Sequence, residues 1–175
     1  LKRWRAWWLE AFVGSGFWKG AKGRFMPPVE EQRIPLSLVE AFGAQHREGM
    51  VRLLEFLARA RDARIPMGVA TSALPPNVEF VLGGLGLLHW FGAIVTAQDV
   101  RNTKPHPEVF LTAAERLGAE PERCVVFEDS LSGIEAARRA GMRAVAMTTT
   151  LRVEDFPAGP FLLRAAPDFT ALLDV

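Results

Sequence analysis

The sequence predicts an α/β fold, a parallel sheet with flanking helices, and three observations predict it. Short apolar runs at residues 65–71, 93–96, 124–127 and 144–147 recur between longer segments with helical periodicity. The runs are apolar throughout instead of alternating with polar residues, as strands covered on both faces are. Glycines and prolines fall where the helical segments begin and end, and strand–helix alternation of this kind builds βαβ units.

Taken in order, Trp4, Trp7, Trp8 and Ala11 fall at helical spacing, so the chain is expected to open on a helix whose aromatic stripe packs on the body of the protein. This opening is basic, with Lys2, Arg3, Arg5, Lys19, Lys22 and Arg24 against Glu10. A nucleic-acid arm or a membrane-surface helix would share that composition, but a packed stripe is the plainer reading. Pro27, Pro28 and Pro35 then break the chain. Met50, Leu53, Leu54 and Leu57 mark an amphipathic helix ending near Ala63. Ile65–Thr71 is a first strand, Asn77 opens a helix carrying Val78, Val81, Leu82 and Leu85, and Ala93–Thr96 is a second strand. Pro107 suits a first helical position and Gly118 a helix stop. Cys124–Phe127 is a third strand, and Ser132 with Glu135 reads as a capping box for a helix that Gly141 ends. Ala144–Met147 is a fourth strand, and Leu172 with Leu173 belongs to a last short helix. Two units follow: residues 1–48, an atypical N-terminal helical segment, and residues 49–175, the sheet-bearing core.

Composition narrows the function classes. With 49% hydrophobic and 23% charged residues the chain can bury a core, which excludes disordered and collagen-like classes. A net charge of +1 gives no overall pull towards nucleic acid, and no apolar run is long enough to span a bilayer. A single cysteine, Cys124, points to a reducing compartment, the cytoplasm.

In open parallel sheets ligands bind beyond the carboxyl ends of the strands. There the sequence sets Thr71-Ser72 after the first strand, Lys104 after the second and Glu128-Asp129 after the third. Hydroxyls and free amides at a strand-to-helix turn bind phosphate oxygens, and lysine brings a compact positive charge to the same group. Adjacent carboxylates hold a hard cation such as Mg²⁺. Each piece alone has a plain structural reading, Thr-Ser or Asp129 as helix caps and Lys104 as a solvated side chain. Together and in this order they form a chemical set.

The segments VATSA, DVRNTKPHPEVF and VFEDSLSGIEAARRAGM resemble the second, third and fourth motifs of the haloacid dehalogenase-like hydrolase superfamily, in its β-phosphoglucomutase-like and phosphatase branch with a helical cap. The resemblance implies a Rossmann-like sheet and a Mg²⁺-dependent phosphohydrolase or phosphomutase acting on a small phosphorylated metabolite, without nucleic-acid or membrane partners. It also implies roles. Thr71, with Ser72 and the following backbone, binds the phosphoryl group; Lys104 stabilises its charge; Glu128 and Asp129 position Mg²⁺, Asp129 more directly; and Asn77 lies where substrate is contacted.

One departure accompanies the resemblance. The superfamily's reaction starts at an aspartate in a DxDxT segment ending the first strand, which takes the phosphoryl group covalently. This sequence has no aspartate before Asp62. The sheet is therefore expected to lack its central first strand, with residues 1–48 the remnant of a helical cap or a non-native start. Residue 1 is leucine, and the chain reads as truncated and inactive as it stands. The alternative is a non-catalytic relative that binds a partner or a small anion.

Overall fold

The computed structural model of the chain describes residues 6–9 and 47–173, with side chains described over 51–173. The sheet it shows is parallel throughout and ordered β3-β2-β1-β4-β5-β6. The strands are β1 (Ala6–Leu9), β2 (Met67–Ala70), β3 (Ala93–Val95), β4 (Cys124–Glu128), β5 (Arg143–Met147) and β6 (Leu162–Ala166). The helices are α1 (Arg47–Asp62), α2 (Pro75–Val78, continued by a π-helical turn over Glu79–Gly83), α3 (Glu108–Leu117), α4 (Leu131–Arg139) and α5 (Thr170–Leu173).

The centre of the sheet corrects the expectation of a missing strand. Residues 6–9 form an extended strand, not part of an opening helix, and it lies between β2 and β4. Trp7 pairs with Met67 on one side and with Val125 on the other, and Leu9 pairs with Phe127. The reason is the demand of the neighbours. Two adjacent central strands without a partner between them would leave rows of buried amides and carbonyls unpaired. Ala-Trp-Trp-Leu is apolar and rich in residues that suit a pleated surface, so it meets that demand. Trp4, Ala11 and the cap remnant expected over most of 1–48 lie outside the described residues.

The other strands are apolar throughout because successive side chains point to opposite faces and both faces are covered. Val69, Val125, Phe127, Val145 and Met147 join Leu53, Phe56 and Leu57 of α1 and Phe169 and Leu173 at the α5 end. The Phe56 ring meets those of Phe127 and Phe169 at centroid distances of 5.3 and 5.0 Å. On the opposite face Ala70, Val95, Cys124, Val126, Ala144 and Ala146 pack on Val109, Phe110 and Ala113 of α3 and Ile134 and Ala137 of α4.

Local corrections are small. The helix expected to open at Asn77 starts at Pro75, two residues earlier, because a proline is well placed in a first turn. Pro107 is the residue before α3, and Gly118 ends that helix with φ 63°, a left-handed turn glycine adopts without strain. Helix α4 is capped by Ser130, whose Oγ accepts from Gly133 N at 3.0 Å, not by Ser132. Glu135 instead accepts from Arg138 and Arg139 on its own helix. Strand β6 had no expectation attached.

Candidate phosphate and metal site

Two strand ends and one loop bring Thr71, Lys104, Glu128 and Asp129 to the carboxyl rim. Thr71 follows β2 directly and is fully buried. Its amide donates to the Val95 carbonyl of β3 at 2.9 Å, continuing the sheet for one residue. Its Oγ1 accepts from Ala73 N at 3.0 Å, a capping role that leaves the hydroxyl proton as a donor. Ser72 beside it is exposed, and so is Asn77 on α2.

Lys104 comes from the loop between β3 and α3, yet its side chain is only 5% exposed. Its Nζ donates to Glu128 Oε2 at 3.2 Å and to the Ala70 carbonyl at the end of β2 at 3.5 Å, and lies 4.5 Å from the centroid of the Phe110 ring. The ammonium thus links the ends of β2 and β4 while resting on an aromatic face. Burial pulls the Lys104 pKa below the usual lysine value, against the opposing pull of Glu128 and Asp129.

Glu128 is held on both oxygens. Oε1 accepts from Ser130 N at 3.0 Å and from Ser130 Oγ, and Oε2 accepts from Lys104. The carboxylate also lies against Gly133 of α4, where any β-carbon would collide with it. Ser130 therefore secures Glu128 and caps α4 at once.

Asp129 differs from its neighbour. It is 2% exposed, and Oδ2 receives a long hydrogen bond from Thr149 Oγ1 at 3.4 Å. Oδ1 is buried with no hydrogen-bond partner. Burial raises the Asp129 pKa and the adjacent Glu128 charge raises it further. Thr150 donates to the Asp129 carbonyl at 3.4 Å, so two hydroxyls after β5 fix this residue from the side. The structure thus brings Thr71, Lys104, Glu128 and Asp129 together and leaves Asn77 at an exposed position on α2.

Sequence reasoning missed the roles of Ser130, Phe110, Thr149 and Thr150. The threonines had a usable signal, since residues 148–150 are three threonines directly after a strand. The same rule that picked out Thr71 and Asp129 applies to them.

The family model described as "Hydrolase: haloacid dehalogenase-like hydrolase" matches residues 6–141. Fructose-1-phosphate phosphatase YqaB of Escherichia coli (strain K12) is 50% identical over 89 residues, which cover 51% of this chain and 47% of that protein. The crystal structure of CbbY from Rhodobacter sphaeroides in complex with phosphate superposes with a TM-score of 0.61 at 27% identity, covering 81% of this chain and 67% of that one. A HAD-superfamily hydrolase from Ehrlichia chaffeensis shares the fold over 99% of this chain and 96% of its own, with a TM-score of 0.65 at 17% identity. The chain spans about half the length of the curated relatives it matches. A parallel sheet of this order, with a buried lysine–glutamate pair and an aspartate beside it, and a family match over most of the chain lead to one conclusion: the chain belongs to the haloacid dehalogenase-like hydrolases.

Proposed function

We propose that this chain forms the phosphate- and Mg²⁺-binding core of a phosphohydrolase or phosphomutase for small phosphorylated metabolites. The observation that carries the reading is Asp129 Oδ1, a buried carboxylate oxygen without a partner beside the Lys104–Glu128 pair. Buried polar atoms are nearly always satisfied, and an orphaned carboxylate oxygen at a strand end is the atom a hard cation would satisfy. The donors fit Mg²⁺, being carboxylate and hydroxyl oxygens. Among the described residues no group of three or more His, Cys, Asp or Glu gathers.

In this reading Asp129 holds the ion and Glu128 adds negative charge behind it while fixing Lys104. Bound Mg²⁺ supplies charge neutralisation for the phosphoryl oxygens. Thr71 and Ser72 donate to those oxygens, Lys104 neutralises them from the opposite side, and Asn77 meets the rest of the substrate. Charge-assisted contacts of this kind are the strong ones in a desolvated site. The sequence continues from β1 into Glu10-Ala11-Phe12, with no aspartate before Asp62. The aspartate on which the family's covalent step depends is not supplied there, so the chain by itself binds without turnover. The same sequence feature favours the second reading, a non-catalytic relative that binds a small anion or a partner. Cys124, the single cysteine of the sequence, is buried, which suits a reducing cytoplasm, and no helix among the described residues is long and apolar enough to cross a membrane.

Thermal unfolding with Mg²⁺ and inorganic phosphate tests the proposal. A ligand at about a hundred times its Kd adds about 2.7 kcal/mol of stability, which raises the midpoint by several degrees. Asp129→Asn removes the Mg²⁺ shift and Lys104→Met reduces the phosphate shift without abolishing it. No shift at millimolar Mg²⁺ and phosphate overturns the binding assignment. Hydrolysis of p-nitrophenyl phosphate stays at background; metal-dependent turnover that disappears in Asp129→Asn would show that the chain is an active enzyme.

A further inference from the structure

Lys104 is carried by a loop, residues 96–107, and a lysine on a loop is ordinarily solvated and variable in position. Here its ammonium is buried against Glu128, so something must hold the backbone on which it stands. Two acids do. At the start of the loop Asp99 Oδ2 accepts from Thr96 N and Thr96 Oγ1 at 2.8 and 2.7 Å. Its Oδ1 accepts from Arg116 Nη2 at 2.6 Å, while Arg116 Nη1 reaches the Ile94 carbonyl at 2.9 Å. At the far end Glu108, the first residue of α3, gathers three donors. Its Oε1 accepts from Arg101 N at 2.8 Å, and Oε2 accepts from Asn102 N at 3.0 Å and Asn102 Nδ2 at 2.8 Å.

Two successive backbone amides converging on one carboxylate fix the chain at residues 101 and 102, two residues before Lys104. The hydrogen bond from His106 N to the Thr103 carbonyl at 3.0 Å closes the turn between. The anchor is rigid, because the next residues of α3, Val109 and Phe110, are buried against the sheet. The same helical turn therefore presents a carboxylate to the loop backbone and a ring to the lysine ammonium.

We infer that Glu108 is a positioning residue for Lys104: by capturing the Arg101 and Asn102 amides it sets where the lysine enters the site. A plainer role exists, since an acid in the first turn of a helix stabilises that helix. The two roles differ in what they move. A helix-stabilising acid changes global stability, whereas a positioning acid changes Lys104 while the rest of the fold stays closed.

The full chain supplies both reporters. Lys104 is one of four lysines, with Lys2, Lys19 and Lys22, so its acylation by acetic anhydride is read cleanly by peptide mass spectrometry. Cys124 is the only cysteine and is fully buried in the core, so its reaction with Ellman's reagent reports global opening. Glu108→Ala is expected to raise the Lys104 acylation rate about threefold or more with the Cys124 rate unchanged, the mark of a local opening. Glu108→Asp lies between it and the wild type, and Glu115→Ala, an exposed acid further along α3, has no effect. Unchanged Lys104 acylation, or Lys104 and Cys124 rising together, overturns the inference. If Glu108→Ala does not fold, Glu108→Gln, which keeps the shape and one accepting oxygen, is read by the same criteria.

A second arm rests on the proposed function. Inorganic phosphate binding, measured by calorimetry, weakens in Glu108→Ala, and the same substitution in a Lys104→Met background causes no further loss. A further loss of equal size would show that Glu108 does not act through Lys104. Absence of phosphate binding in the wild type overturns the functional reading instead, and the acylation comparison still decides the role of Glu108.

Discussion

Gly133→Ala is expected to destabilise this protein, although at an ordinary helical position the same change is favourable. Replacing glycine by alanine within a helix normally adds about 0.5–1 kcal/mol. At Gly133 the new methyl group would fall on the Glu128 carboxyl group. That carboxylate has no room to yield, being 1% exposed, held by Ser130 N at 3.0 Å and paired with Lys104 at 3.2 Å. Overpacking costs about 1–3 kcal/mol, and separating a buried ion pair costs about 3–5 kcal/mol when one charge is left alone. With partial relaxation and the helix gain subtracted, a net loss of about 2–4 kcal/mol is expected. Urea unfolding followed by far-UV circular dichroism measures it. The control is the same substitution in Glu128→Ala, where the obstructing group is gone and Gly133→Ala becomes neutral or favourable. A Gly133→Ala protein as stable as the wild type would refute the placement of Glu128 under α4.

Lys104→Met leaves the Glu128 charge buried without its partner and should cost about 3–5 kcal/mol, part of which returns in the Lys104→Met/Glu128→Gln double variant, as read from urea midpoints. Glu135 accepts from Arg138 and Arg139, which hold its pKa down at about 2 from 4.5. A depressed carboxylate stabilises the fold above its unfolded pKa. That contribution is therefore present above pH 4.5, is lost as pH falls towards about 2, and the acid limb of the stability curve is shallower in Glu135→Gln. Leu82, fully buried in the π-helical turn after α2, should cost about 2–5 kcal/mol when cut to alanine, measured by thermal and urea unfolding.

Much of this molecule was legible in its sequence for a definite reason. Strands β2 to β5 are covered on both faces, so each is built on an apolar run, residues 67–70, 93–95, 124–127 and 144–147. The candidate site was legible as a position because the chemistry of a parallel sheet gathers beyond strand ends, where Thr71, Glu128 and Asp129 stand and to which the loop after β3 returns Lys104. What escaped was set by partners far along the chain. Trp7 and Trp8 suit one face of a helix as well as a strand, and only the empty place between β2 and β4 decides between them. Among the described residues strand β6 pairs with β5 alone, and it exposes Leu163 and Arg164, so it carries no continuous apolar signature. The cap of α4 was expected at Ser132 and stands at Ser130. Ser130 prevails because it also serves Glu128, a tie no local pattern contains.

The placement of β1 has a consequence for how the chain reaches its native state. The strand that stands at the middle of the sheet is drawn from residues 6–9, while its two neighbours come from residues 67–70 and 124–128. During synthesis β2 emerges long before β4, so β1 has one of its two edges unsatisfied until β4 is made. Closing both sides demands contacts widely separated in sequence, the property that slows folding most. The interval before β4 arrives exposes edges of β1 and β2 that can pair with another chain. Yield on refolding should therefore fall with protein concentration, and a chaperone that shields strand edges should restore it.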